Sequence, residues 1–328
     1  MINLKDIERV YFLGIGGIGM SALARYFLGH NFIVAGYDRN KSEICCALEQ
    51  ESCEIQYQDQ CAAIPDSFKN NKSTLIVYTP AISSELGLFT YFKNNGYHIY
   101  KRAEVLGHLT KDNECIAIAG THGKTTISSL LSYVFTQNFI DCSAFLGGIA
   151  KDFNSNIKIG KEPIFVVEAD EFDRSFLHLS PDWAIISSMD ADHLDVYGSL
   201  KYFKDSFDLF SSNVSNGNVI AKEGLDVVAK HTYALNSSTA DFSASKIMVE
   251  NGRYLLDIKY PNGVCNNVSL GMSGIHNVEN ALAVFSMAYL YGVCPEGIVS
   301  SLASFSGVKR RFEYHVNTKN QIYIDDYD

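Results

Sequence analysis

Short apolar runs recur along the chain, separated by longer segments in which apolar and polar residues mix. The runs are Val10-Tyr11-Phe12-Leu13, Ile33-Val34-Ala35-Gly36-Tyr37, Leu75-Ile76-Val77-Tyr78, Cys115-Ile116-Ala117-Ile118, Ile164-Phe165-Val166-Val167 and Trp183-Ala184-Ile185-Ile186-Ser187-Ser188. Apolar runs this short and this continuous read as strands buried on both faces, as in a parallel sheet. Between them lie helical segments: Met20 to Leu28, ending near Gly29, then Ala103 to Leu109 and Ile127 to Phe135. Asn94-Asn95-Gly96 marks a turn before a further strand, Tyr97 to Tyr100, and a long apolar helix runs from Val278 to Tyr291. Alternating strands and helices predict an α/β fold with parallel sheets. Residues 213 to 270 differ, reading as short β-rich segments with hairpin signals at Asn251-Gly252 and Pro261-Asn262-Gly263. Phe145-Leu146-Gly147-Gly148-Ile149 reads as a flexible turn, and Thr110-Lys111-Asp112-Asn113 as a join between two domains.

Composition narrows the class. A chain of 328 residues with 47% apolar and 20% charged positions suits two soluble domains. The net charge of −10 argues against broad binding to nucleic acid or anionic membranes. No apolar stretch reaches the length of a membrane span, and the N-terminus lacks a signal-peptide core, so a cytoplasmic location is expected. The eight cysteines form no C-x-x-C pair and no zinc-ligand spacing, and read as reduced apolar fillers.

Two glycine-rich turns carry the chemistry. After the strand ending at Ile118 comes Ala119-Gly120-Thr121-His122-Gly123-Lys124-Thr125-Thr126. Backbone N–H groups at a helix start attract anions, and Gly120 and Gly123 let the main chain approach a polyphosphate. Lys124 then faces the terminal phosphates and the Thr125 hydroxyl joins a Mg²⁺ shell. Only two residues separate Gly120 from the Gly-Lys pair, so the loop is a shortened variant of the usual pattern. The plain alternative is an ordinary strand-to-helix turn with an exposed lysine. The second turn is Gly14-Ile15-Gly16-Gly17-Ile18-Gly19, followed 19 positions beyond Gly19 by Asp38 at the end of the next strand. That is a diphosphate-binding βαβ layout with a ribose-binding acid, only weakly specific for a nicotinamide. Thr79-Pro80-Ala81-Ile82-Ser83 follows another strand at the sheet edge where ligands collect, and Lys101-Arg102 is either a solvated pair or a diphosphate contact.

Carboxylates crowd the tip of the strand at 164 to 167: Glu168, Asp170, Glu171 and Asp173. Without a counter-ion they would repel, and a Mg²⁺ shared with ATP phosphates removes the repulsion, with Glu168 the best-placed ligand. His193, among Asp190, Asp192 and Asp195, suits a second cation or a phosphate, unless those aspartates merely cap a helix. His276, Asn277 and Asn280 surround the first turn of a helix, and Lys309-Arg310-Arg311 is a basic run after Gly307. No nucleophile motif is present, which leaves positioning and electrostatics as the chemistry.

In this order, these motifs resemble the Mur ligase family, within it the branch that joins L-alanine to UDP-N-acetylmuramate. The resemblance runs from residue 10 almost to the end and includes Glu168-Ala169-Asp170-Glu171, Asp192-His193-Leu194-Asp195 and Gly307 to Glu313. It implies a Rossmann-like parallel-sheet domain over 1–110 that binds the UDP-sugar, then a P-loop-type α/β ATPase domain over 111–320. Residues 321–328 would begin a linker to a third domain, leaving the chain as given with weak ligation or none. It further implies that ATP phosphorylates the sugar's lactyl carboxylate and that L-alanine's amine attacks the acyl phosphate. Lys124 would stabilise the γ-phosphate, Thr125 and Glu168 would bind Mg²⁺, and His193 would help hold a second ion. Gly120, Thr121, His122, Gly123 and Thr126 would line the ATP loop. His276 and Asn280 resemble adenine-side contacts, and Arg311 an arginine that reaches the nucleotide. Gly14, Gly16, Gly17, Ile18, Gly19 and Asp38 would hold the UDP diphosphate and ribose, with Thr79, Ala81, Ile82 and Ser83 on the uridine side. Competing readings are an NAD(P)-dependent dehydrogenase and a non-catalytic nucleotide-binding remnant. Glycine or serine as acceptor and the oligomeric state are left open.

Overall fold

β1 (Arg9–Leu13) is buried over four of its five residues, because it lies at the middle of a sheet covered on both faces. β2 (Ile33–Tyr37), β3 (Glu54–Gln56), β4 (Thr74–Tyr78) and β5 (His98–Lys101) complete it, all parallel, in the order β3-β2-β1-β4-β5. The helices are α1 (Ile18–Gly29), α2 (Glu43–Gln50), α3 (Gly87–Asn94) and α4 (Arg102–Lys111). Register matters more than order here. Leu13 pairs with both Tyr37 and Tyr78, so three strands end level with one another. The residues that follow them (Gly14, Asp38 and Thr79) therefore emerge side by side at the point where strand order reverses. Tyr11 anchors the core beneath, with ring centroids 5.7 Å from Phe68 and 5.1 Å from Phe92.

This computed structural model describes residues 4–190, 199–250, 252–317 and 321–326. The chain divides into two compact units, Met1–Leu109 and Thr110–Asp328.

The second unit is built on β6 (Glu114–Ala119), α5 (Lys124–Gln137), β7 (Ser143–Ala150), β8 (Ser155–Lys158), β9 (Ile164–Glu168) and β10 (Trp183–Ile186). Then come α6 (Leu200–Ser212), β11 (Val219–Lys222), β12 (His231–Leu235), β13 (Phe242–Glu250), β14 (Arg253–Tyr260) and β15 (Gly263–Ser269). α7 (Ile275–Leu290), α8 (Pro295–Ser304) and a small hairpin, β16 (Glu313–Asn317) with β17 (Ile322–Asp325), end it. The ten-stranded sheet runs β15-β14-β13-β12-β11-β10-β6-β9-β7-β8, with β6 parallel to both β9 and β10. α5 is buried without interruption from Thr125 to Phe135, since it touches the sheet on one side and α7 and α8 on others. α6 shows the opposite pattern. Its buried residues Phe203, Ser206, Phe207 and Phe210 form one stripe. Phe176 stacks on Phe210 at 4.8 Å and meets Phe207 at 5.2 Å, which pins the short 3₁₀ segment following β9.

Both hairpin signals lie at antiparallel connections, where Glu250 pairs with Arg253 and Tyr260 with Gly263. The turn expected at 145–149 is instead the interior of β7. Two adjacent glycines weaken a strand unless something approaches closely, and at Gly147 the Glu168 carboxylate occupies the space a side chain would need. No described helix is long and apolar enough to cross a membrane.

Candidate functional site

In the first unit the glycine turn folds back on the sheet edge. The Gly14 and Ile15 amides donate to the Tyr37 carbonyl at 2.8 and 3.0 Å, and the Gly17 amide donates to the Gly14 carbonyl at 3.3 Å. Gly14 has φ +86°, and a Cβ there would lie 2.6 Å from the Thr79 methyl, so this turn needs glycine on both counts. Asp38 serves the turn itself. Its Oδ2 accepts from the Gly16 amide at 2.8 Å and its Oδ1 from the Asn40 amide at 3.0 Å. Ile82 also reaches Gly14, whereas Ala81 and Ser83 are exposed, and Ser83 Oγ accepts from the Glu85 amide at 3.1 Å. α1 begins after Gly17 with no side-chain cap and no acidic residue in its first turn. Arg102 lies over this start, its Nη1 3.0 Å from where a Gly19 Cβ would stand. A helix N-terminus with a guanidinium beside it attracts a diphosphate.

In the second unit β6 delivers the other loop. Gly120 (φ +135°) and Gly123 (φ +84°) take conformations that side chains rarely adopt. A Cβ on Gly120 would strike Ser187, and one on Gly123 would lie 2.5 Å from Asn280 Oδ1. Serines at the end of β10 hold the loop: Ser187 Oγ donates to the His122 carbonyl, and the His122 amide donates to Ser188 Oγ at 2.8 Å. Thr121 Oγ1 donates to the Asp190 carbonyl at 2.9 Å, and His122 Nε2 lies 3.6 Å from Asp190 Oδ2. Asn280 is buried and braces the loop from α7. Its amide donates to Asn277 Oδ1 at 3.1 Å, and Asn277 donates to the Ser273 carbonyl at 2.6 Å.

The charged centre lies at the start of α5. Lys124 Nζ donates to the Gly120 carbonyl at 2.7 Å and pairs with Glu171 at 2.9 Å. Thr125 Oγ1 donates to Glu168 Oε1 at 3.2 Å, and the Gly147 amide donates to Glu168 Oε2 at 2.8 Å. Burial pushes the Glu168 carboxyl above its ordinary pKa, opposed by the Lys124 charge, the Gly147 amide and the Thr125 hydroxyl. A half-buried carboxylate beside a threonine hydroxyl is a fitting pair of oxygens for a hard divalent cation.

Thr126 is buried in α5. His276 is exposed, its ring 5.5 Å from that of Phe312. The segment carrying the basic run docks on the end of β7 through its backbone: the Lys151 amide donates to the Gly307 carbonyl at 3.0 Å, the Lys309 amide to the Ile149 carbonyl at 2.9 Å, and Val308 pairs with Ala150. Arg311 is exposed on that segment. His193 lies outside the described residues. Sequence reasoning gave no role to Ser187 and Ser188 and left Glu171 as one of several spare carboxylates. Both serines follow a buried strand directly, which was the only available signal.

Residues 118–288 match the Mur ligase middle domain, and residues 9–114 match the catalytic domain of the Mur ligase family. A UDP-N-acetylmuramate–L-alanine ligase of Porphyromonas gingivalis strain W83 is 46% identical, covering 98% of this chain and 72% of the relative. The enzyme of that name from Cytophaga hutchinsonii is 44% identical over 99% of this chain and 72% of its own length. Among solved structures, UDP-N-acetylmuramate-alanine ligase from Thermotoga maritima superposes with a TM-score of 0.86 at 25% identity, covering 98% of this chain and 74% of that one.

Proposed function

The chain belongs to the Mur ligase family, and from that premise we propose that it joins L-alanine to the lactyl carboxylate of UDP-N-acetylmuramate at the expense of ATP. Residues 1–110 bind the UDP-sugar, and residues 111–320 bind ATP. The diphosphate lies at the start of α1 near Arg102, with Gly14, Gly16, Gly17, Ile18 and Gly19 shaping the turn and Thr79 to Ser83 facing uridine. Asp38 reaches the ribose side while holding Gly16.

The lactyl carboxylate attacks the γ-phosphorus, the bond to the β-bridging oxygen breaks, and ADP leaves. The alanine amine then attacks the acyl carbon, phosphate departs with its electron pair, and the amine loses a proton. Catalysis of both steps requires charge to be met where it develops. Lys124 stabilises the transferring phosphoryl group, and the loop amides from Gly120 to Thr126 orient the chain of phosphates. Thr125 and Glu168 would hold Mg²⁺, which when bound neutralises phosphate charge. His276 and Asn280 belong to the adenine side and Arg311 to the nucleotide edge. His193 is assigned to a second cation on the resemblance alone.

The convergence of Lys124, Thr125 and Glu168 at the tips of β6 and β9 is the observation that carries this reading. It also disfavours a dehydrogenase, which has no use for a lysine and a carboxylate beside a second phosphate loop. Phosphate release from ATP is the test. It should require UDP-N-acetylmuramate and L-alanine together, and release stimulated by NADH-linked substrates instead would refute the proposal.

A further inference from the structure

Glu171 is a buried carboxylate with no part in the mechanism above. It is 1% exposed, and both its oxygens approach Lys124 Nζ, at 3.0 and 2.9 Å. Lys124 Nζ also donates to the Gly120 and Thr121 carbonyls at 2.7 and 3.4 Å. One lysine therefore serves both the buried Glu171 and the half-buried Glu168, since Glu168 also lies within the field of Lys124. The structure divides them unequally. Lys124 makes its ion pair with Glu171, while Glu168 accepts hydrogen bonds from neutral donors, the Gly147 amide and the Thr125 hydroxyl.

A half-buried carboxylate held by neutral donors retains its attraction for a cation. If the lysine moved to Glu168, that attraction would be satisfied internally, and the Thr125–Glu168 oxygens would be closed to a metal. Resting on the ligase reading, we infer that Glu171 is a positioning residue, which holds Lys124 over the mouth of the phosphate loop and off Glu168, so that the Thr125–Glu168 pair stays open to a divalent cation. Glu171 acts through Lys124 and touches neither reacting group. Its segment is fitted for the task, because Phe176 anchors it on α6 and the Phe176 amide donates to the Asp170 carbonyl at 2.8 Å.

The test is calorimetric binding of ATP across a range of Mg²⁺ concentrations, without sugar or alanine. Removing a group that orients a metal ligand typically costs about 10–100-fold in metal affinity. Glu171→Gln should raise the Mg²⁺ concentration for half-maximal ATP binding at least about 10-fold, with binding recovered at saturating Mg²⁺. Glu171→Asp, which keeps the charge, should fall between the two. The deciding comparison is Lys124→Met with and without Glu171→Gln: with no lysine to capture Glu168, adding Glu171→Gln should leave the Mg²⁺ requirement where Lys124→Met alone sets it. An unchanged Mg²⁺ dependence in Glu171→Gln, or the same rise when Glu171→Gln is added to Lys124→Met, would overturn the inference. If the metal dependence behaves as expected but the wild-type chain ligates no alanine, the ligase reading fails and the Glu171 assignment stands.

Discussion

Gly147 is the position where a single methyl group should separate folding from chemistry. The residue lies inside β7, between its neighbours β9 and β8, and has an ordinary extended backbone that alanine can adopt. A Cβ there would overlap the Glu168 carboxylate, whose two oxygens and terminal carbon all fall well inside contact distance. Glu168 is pinned at its backbone by β9 pairing with β6, so the carboxylate must swing away instead. It would lose the 2.8 Å bond from the Gly147 amide and the 3.2 Å bond from Thr125. Hydrogen bonds to charged groups are worth about 1.5–3 kcal/mol each, but a carboxylate that leaves burial regains hydration, so the two effects largely offset. The expected net change in stability is about 1 kcal/mol, a shift of about 2–4 °C for a unit of this size. The cation site suffers far more, because a displaced ligand costs about 10–100-fold in metal affinity. Gly147→Ala should therefore unfold within a few degrees of the wild type while needing about 10–100-fold more Mg²⁺ for half-maximal substrate-dependent ATP turnover. Unchanged Mg²⁺ dependence in a folded Gly147→Ala protein would refute the assignment of Glu168 as a metal ligand.

Three further outcomes are expected. Lys124→Met should lower turnover by about 10³-fold or more, because the transferring phosphoryl group loses its cation, while UDP-N-acetylmuramate affinity measured by calorimetry stays within about twofold. Gly14→Ala forces a left-handed conformation costing roughly 1–2 kcal/mol and pushes against Thr79, so UDP-sugar binding should weaken about 10-fold with ATP binding unaffected. Asp141 accepts from Lys158 Nζ at 2.7 Å and the Lys161 amide at 2.8 Å, and those contacts hold its carboxyl below the ordinary 3.8. A depressed folded-state pKa stabilises above the unfolded value and is lost as pH falls through the folded one. Asp141→Asn should thus be less stable than the wild type in urea at neutral pH, with the difference closing below about pH 4.

Much of this was legible because the signals are local. A buried run followed by glycine, lysine and hydroxyls fixes a strand, a loop and a helix start within about a dozen residues, and β6, the loop and α5 follow that pattern. The position of Glu168 was legible for the same reason, as a carboxylate at the tip of a buried strand. What escaped depends on contacts between distant segments. Gly147-Gly148 reads as a turn until Glu168, 21 residues later, is seen to fill the missing side-chain volume. Glu171 looks interchangeable with Asp170 and Asp173 until the loop brings Lys124 against it from 47 residues away. Asp38 was read as a ribose ligand from its spacing, and spacing could not reveal its bond to the Gly16 amide. Ser187 and Ser188 carry no motif, and their role arises only from β10 lying parallel beside β6.

The central step of the proposed reaction is attack of the sugar's carboxylate on the γ-phosphorus. UDP-N-acetylmuramate carrying ¹⁸O in its lactyl carboxylate, turned over with ATP and L-alanine, tests this directly by mass spectrometry of the released phosphate. Passage through an acyl phosphate leaves one labelled oxygen on each phosphate formed in a turnover. Ligation that proceeds with unlabelled phosphate would contradict the mechanism.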